Sequence, residues 1–498
     1  MENKEWFFWR NRWLFILAAI GSAAWLGNFW RFPFQVFDHW GLEFIVAYFV
    51  MLIIMWIGLL IWEVALGQKT QKWAPNAIWS LSKFFKRIWW WAIFVAATIV
   101  TYYSVVISWS LSYLYHSVLS LFQDTFAWEK AESTQEFFFE NVLMLSDWVA
   151  EWGSISIPVV LWLIVTWVLI YLFTFKSAKS VGPVVAFTAT IPVVLLLILA
   201  IRAITLPWGM DGVSHLLQFD AQNLWNFSLW SAAAWQIFFT LSLSAGVMIA
   251  YWALKQKGSE IANSWFLVVI WNTIISLISA VAVYWALGFI SKEQWTAIAE
   301  MDGWPMLVFV TFPEILSEFP ALSWLFAVLF FGSIFLLAVD SAMSLVESAS
   351  KGIRDNFPKL WPEKMMLILS IILGLWGLIY SFWNWLYILD IVDYYITTFW
   401  MLTAWLFTMW LLLYNWKDMT TFISNNSWKI TNAIFNRWYL MASWWISVII
   451  LIVLYYQEIQ DWILNYEEFD PVYNMIWFGL YVGAFVVWII LNFLQEKS

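Results

Sequence analysis

The stretch Gly21-Ser22-Ala23-Ala24-Trp25-Leu26-Gly27-Asn28-Phe29-Trp30-Arg31-Phe32-Pro33 sets glycines, an amide, an arginine and a proline inside the first long apolar segment. Hydrocarbon offers no partner to a bare peptide group, so a helix interrupted at that depth must line protein or a wet cavity. Free N–H and C=O groups at such an interruption can hold ions and charged solutes. The segment predicts a membrane carrier.

Composition agrees. Charged residues make up 11% of the 498 and hydrophobic ones 63%, whereas a soluble domain is roughly 25% charged. The chain therefore reads as an all-α integral membrane protein. With no cysteine there is no disulfide framework or thiolate metal site, and His39, His116 and His215 are too dispersed for a histidine metal centre. Arg10 and Arg12 run straight into an apolar segment too long for a signal peptide, so no cleavable signal is expected.

Apolar stretches of about 20 residues mark spans. Twelve are expected, at 13–36, 42–67, 88–122, 155–175, 181–205, 228–254, 262–290, 321–350, 364–383, 387–414, 437–457 and 472–494. The third is long enough to tilt or to extend beyond the bilayer. The chain reads as one polytopic domain over 1–498, with an N-terminal segment 1–12, a membrane region 13–494 and an acidic outer loop 123–154. Twenty of the 24 lysines and arginines fall at the N-terminus, at the C-terminus or in alternate loops on one side, and only Arg31, Lys130, Arg202 and Lys292 fall on the other. Both termini are thus expected in the cytoplasm, with the protein multi-pass in the plasma (inner) membrane.

Two further clusters stand out. In the sixth span, Gln236, Thr240, Ser242, Ser244 and Gly246 gather at mid-membrane. Hydroxyls there often bond only to the carbonyl four residues back. Interruptions in spans one and six are nonetheless what two five-helix repeats of opposite topology would give. In the eighth span, Asp340-Ser341 puts a carboxylate at membrane depth, which by default marks function. The plainer alternative is an aspartate paired with a backbone amide or a lysine. Asn272 in the seventh span supplies a further amide oxygen, though a lone asparagine also serves as glue between helices. Phe238 and Phe239 are equally compatible with ordinary core or lipid contacts.

These motifs resemble the neurotransmitter:sodium symporter family, whose fold is that of the bacterial leucine transporter (LeuT), from about residue 9 to the last span. Broken helices as ion sites are described for that same fold, so the two arguments are not independent. The resemblance implies 12 transmembrane helices, inverted repeats over spans 1–5 and 6–10, and broken helices 1 and 6. It implies a first sodium site from the Ala23 carbonyl, Asn28, Thr240, Asn272 and the substrate carboxylate. A second would use the Gly21, Ala24 and Leu337 carbonyls with Asp340 and Ser341. Tyr103 would hold the substrate carboxylate beside the Leu26 and Gly27 amides. Phe239, Ser242, Ala245 and Leu345 would line the side-chain pocket, and Ala23, Trp25, Thr240 and Ser341 complete the solute contacts. Arg31, Asp393 and Gln236 resemble an outer gate, and Glu63 the buried acid that braces the unwound segments.

Chloride-independent bacterial relatives carry a carboxylate in the seventh span, and no Asp or Glu lies between Glu260 and Glu293 here. Tyr48, Gln236, Thr240, Asn272 and Ser276 instead match a chloride site, so chloride dependence is expected. At the inner gate Asp355 and Trp9 match the family, but the arginine expected three residues before Trp9 is Trp6. Lys4 and Arg12 are both candidates to replace it.

There are 45 tryptophans and only 19 glycines, although glycine is favoured in membrane helices. Trp25, Trp40 and Trp235, and also Trp252, stand where the family has glycine, whereas Trp30 and Trp109 stand where it accepts tryptophan. We read many of these as UGA codons meaning glycine but translated as tryptophan, a hypothesis that UGG codons at 25, 40 and 235 would end. A genuinely Trp-rich protein is the alternative. A real Trp25 would fill the pocket and block ordinary amino acids. Glycine there, with Ala245, would leave room for a large apolar or aromatic side chain.

The expected activity is sodium-coupled symport of an amino acid or related small solute, with the solute and the lipid bilayer as partners and no nucleic acid. A sodium-binding sensor or channel that keeps the fold without turnover is the second reading. A membrane acyl or glycosyl transferase would need a catalytic His or carboxylate pair, and the three histidines have no acidic partner at useful spacing.

Overall fold

A computed structural model describes residues 12–23, 26–55, 59–81, 86–123, 125–146, 153–175, 184, 187–206, 209–243, 246–289, 304–319, 321–354, 361–426, 437–464, 475 and 479. Among these residues the chain is helical, with a lone antiparallel bridge between Ile155 and Phe382 and no strand. The helices that matter here are α1 Arg12–Ala23, α2 Phe32–Asp38, α3 Leu42–Met55, α4 Ile61–Thr70, α5 Ala74–Trp79, α6 Lys86–Gln123, α7 Ile157–Thr174, α8 Ile191–Ile204 and α9 Gly209–Leu216. After these come α10 Phe227–Thr240, α11 Val247–Ala253, α12 Ala262–Phe289, α13 Ser323–Arg354, α14 Pro362–Gly377, α15 Trp385–Tyr395, α16 Met401–Tyr414, α17 Trp416–Asn425 and α18 Arg437–Leu464.

Seven helices are long and apolar enough to cross a membrane, and they coincide with expected spans three, four and seven to eleven. The first, second and sixth expected spans are each distributed over shorter helices. The fifth includes α8, which turns by 108° into α9. The twelfth lies almost wholly outside the described residues. Helix α6 has 38 residues and is roughly 57 Å long at 1.5 Å per residue, well beyond a 30 Å hydrocarbon layer.

Helices α6 and α13 pack along one another and form the centre. The apolar window of α6 is 83% buried, against 33% for those of α7 and α18. On α7 the exposed residues Ile157, Leu161, Ile164, Val168 and Leu172 recur at helical spacing and make one apolar stripe, the face expected to meet lipid.

Where the first and sixth expected spans carry their polar residues, the backbone leaves regular α-helix. Helix α1 stops at Ala23, residues 24 and 25 lie outside the described set, and a π-helical turn Gly27–Arg31 leads into α2. Pro33 falls in the first turn of α2, where its missing N–H costs little. Helix α10 stops at Thr240 and α11 begins at Val247. Between them Ser242 has φ +50° and Gly246 φ +71°. Left-handed backbone at a non-glycine residue is uncommon and clusters at ligand clamps. Trp40 is a second case, at φ +59° beside Gly41 at +61°.

Candidate functional site

Three chain segments meet at the first polar cluster. Asn28 comes from the π turn, Thr240 from the end of α10 and Asn272 from the middle of α12, and all are fully buried. The Asn28 amide donates to Asn272 Oδ1 at 2.8 Å and to Ser276 Oγ at 2.8 Å. The Asn272 amide donates to Thr240 Oγ1 at 2.9 Å. Thr240 Oγ1 lies 3.2 Å from Asn28 Oδ1 and 3.3 Å from Asn272 Oδ1. Four hydroxyl and amide side chains thus converge in a dry site that contains no formal charge of its own.

Tyr48 is buried behind this cluster, its hydroxyl 3.5 Å from Thr273 Oγ1 and in hydrogen-bonding contact with Ser276. Gln236 donates to the Gly27 carbonyl at 3.3 Å. The structure therefore brings Tyr48, Gln236, Thr240, Asn272 and Ser276 to one neighbourhood and adds Thr273, which sequence reasoning missed.

A second cluster lies between α1 and α13. Asp340 is 2% exposed and Ser341 4%. Asp340 Oδ2 is buried without a hydrogen-bond partner, and it occupies the space that a Cβ on Gly21 would fill. Only glycine leaves that notch open. Leu337 sits one helical turn earlier on α13 and is buried. Ser22 ties the two helices together, its hydroxyl donating to Ser344 Oγ at 3.1 Å. Ser242, in the left-handed turn, donates to the Ser22 carbonyl at 3.0 Å.

Between the clusters opens a cavity of about 340 Å³. Gly27, Tyr103, Phe239, Ser242, Ser341 and Leu345 all line it, as expected for solute contacts, and so do Arg31 and Asp393. The Tyr103 hydroxyl approaches the Leu26 backbone and Ser341. Ala23 and Leu26 are buried in the core behind the wall. Ala24, Trp25 and Ala245, like Trp9 and Asp355, fall outside the described residues. Glu63 is wholly buried on α4. The wall also holds residues not foreseen, among them Ile99, Val106, Tyr102, Ser344, Asp390 and Glu458. Trp235, one of the positions expected to be glycine, lines the cavity too and stacks on Phe239 at 5.6 Å.

The two gate residues share the cavity but are not paired: no Arg31–Asp393 contact within 4 Å is formed. Arg31 donates to Gln236 Oε1 at 2.9 Å, and its guanidinium carbon lies 4.6 Å over the Phe239 ring. Asp393 accepts from the Tyr102 hydroxyl. Toward the other end of α13, Glu347 and Lys351 form a buried ion pair. The Lys351 ammonium lies 4.7 Å over the Trp73 ring and 5.9 Å over that of Tyr251. Lys351 was counted above among cytoplasmic loop charges. It is instead part of α13 and 3% exposed, because α11 and the start of α5 pack over it.

A bundle of apolar helices around a buried, polar-ended cavity, reached by an arginine and acids, defines a multi-pass membrane protein that handles a small solute. The family model for the sodium:neurotransmitter symporter family matches residues 7–135 and 120–496. A sodium-dependent transporter of Methanocaldococcus jannaschii, itself uncharacterized, is 33% identical over 393 residues, 78% of this chain and 77% of that protein. The sodium- and chloride-dependent GABA transporter 2 of Mus musculus is 30% identical over 416 residues, 78% of this chain and 69% of that one. The human GABA transporter 2 matches to the same degree, 30% over 416 residues with 78% and 69% covered. The chain belongs to the sodium:neurotransmitter symporter family. It is accordingly a sodium-coupled symporter and not an enzyme.

Proposed function

We propose that this protein imports an amino acid or related small solute together with sodium, and with chloride, by alternating access. The carrying observation is the pair of desolvated oxygen clusters flanking one cavity. Hard cations take oxygen ligands, and six oxygens about 2.4 Å from an ion the size of sodium or calcium stand roughly 3.4 Å apart along each edge. The 3.2 and 3.3 Å separations from Thr240 Oγ1 to the two amide oxygens fit that spacing. Asn28, Thr240 and Asn272, with the Ala23 carbonyl, would hold one sodium, and the solute carboxylate would complete its shell. That shared ligand is the coupling. Asp340 and Ser341, with the Gly21, Ala24 and Leu337 carbonyls, would hold the second.

The first cluster is neutral, so sodium beside it is offset by an anion. Tyr48, Gln236 and Ser276 supply donors there, which supports chloride. Tyr103 with the Leu26 and Gly27 amides would receive the solute carboxylate, and Phe239, Ser242, Ala245 and Leu345 its side chain. Closing Arg31 onto Asp393 would seal the outer side, with Asp355 and Trp9 at the inner gate and Glu63 bracing the breaks. The twelve-span single domain with inverted repeats, broken helices one and six and cytoplasmic termini in the inner membrane belongs to the same reading. Ions and solute move such an equilibrium only by binding one state better than another.

Uptake by proteoliposomes under an inward sodium gradient, with a panel of amino acids, tests this. Accumulation of one class of amino acid that collapses in potassium and falls in gluconate is expected. Saturable binding without accumulation would make the protein a sensor, and equal uptake in chloride and gluconate would remove the anion.

A further inference from the structure

We propose that Thr188 is a positioning residue for sodium: its hydroxyl holds the Asp340 carboxylate so that Oδ2 faces the cation in the notch over Gly21. The proposal rests on the reading of Asp340 as a sodium ligand and adds a residue that the family pattern does not supply. Three observations carry it. Thr188 is 2% exposed, and its hydroxyl hydrogen-bonds the Asp340 carboxylate. Asp340 Oδ2 is buried without a partner, in the place of a Gly21 side chain. The neighbouring Ala189 packs with Ala18 of α1 and Met343 of α13 in a small cluster, which wedges the 187–190 turn between both helices.

The hydroxyl also lies 3.1 Å from the Val184 carbonyl. It has one proton for two acceptors, and a charged carboxylate is the stronger. Threonine is stiff about χ1, so the direction of that hydroxyl follows from the backbone alone. A carboxylate in this dry site with one oxygen held and the other bare is costly until a cation arrives. The hydroxyl and the side-chain-free notch leave one direction from which that charge can be met. Thr188 therefore sets where the ion sits without being required to touch it.

The test uses the purified full-length chain in detergent and reads thermal stabilisation against sodium concentration, with choline holding ionic strength constant. Thr188→Val is expected to raise the half-saturating sodium concentration about tenfold, the scale of one hydrogen bond to a charged group. It should leave the melting temperature in choline unchanged, and Thr188→Ser should return the midpoint to within about twofold of the unaltered chain. Thr188→Ala makes the same comparison should the valine variant not fold. Asp340→Asn runs in parallel. If Asp340→Asn loses part of the sodium response while Thr188→Val and Thr188→Ala titrate normally, the positioning role is wrong and the sodium site stands. If Asp340→Asn titrates normally, both are overturned.

Discussion

The outer and inner ends of the cavity handle charge in opposite ways. At the outer end Arg31, Asp390, Asp393 and Glu458 line open space, and the arginine takes Gln236 while Asp393 takes Tyr102. Toward the inner end Glu347 and Lys351 have side chains only 2% and 4% exposed and are paired with each other, with the cation over two rings. The same helix, α13, carries Ser341 and Leu345 at the cavity and this pair one to two turns on. Wet charges can exchange partners at little cost, whereas separating a dry pair strands a charge in apolar surroundings. The outer end is ready to rearrange and the inner end is locked.

The largest effect should come from breaking the lock. Lys351→Met leaves Glu347 buried and alone, at a cost of about 3–5 kcal/mol in unfolding free energy. Arg31→Met at the outer end should cost no more than about 1 kcal/mol. Denaturant unfolding of both variants decides the contrast, and equal losses would erase it. A double change of Glu347→Leu with Lys351→Met should recover most of the loss, since no charge is then stranded.

Accessibility should show an intermediate effect. The chain has no cysteine, so single introduced thiols report cleanly. In sodium, Asp390→Cys should react with a hydrophilic thiol reagent at least about tenfold faster than Glu347→Cys, because the buried site reacts only through opening. Equal rates would mean that the inner end is not closed.

The smallest effect concerns the left-handed turn between α2 and α3. Trp40 is 40% exposed, so its indole buries little, and its φ of +59° is one that glycine adopts freely. Trp40→Gly should be neutral or stabilising, by up to about 1 kcal/mol in the melting analysis. A clear destabilisation would favour a genuine tryptophan, and a UGG codon at position 40 would settle it for that site.

Residues at odds with a hydrocarbon setting were legible from the sequence. Asn28, Asp340 and Arg31 are conspicuous among apolar neighbours, and the long uninterrupted segments that became α6, α12 and α13 needed only hydropathy. Pairings across hundreds of residues were not legible. Nothing near Lys351 announces Trp73 or Tyr251, and a lysine at the end of an apolar stretch reads as a loop charge by default. Thr188 looks like any threonine in an apolar helix until α1 and α13 close around it. The unpaired state of Arg31 and Asp393 was equally invisible, because residue types show what can pair and not which partner is taken.

Equilibrium binding of radioactive sodium to the purified protein tests the centre of this account most directly. It predicts saturable binding of two ions per chain, one of them lost in Asp340→Asn and the other weakened at least about tenfold in Asn272→Ala. Binding that does not saturate, or that both variants leave intact, would contradict it.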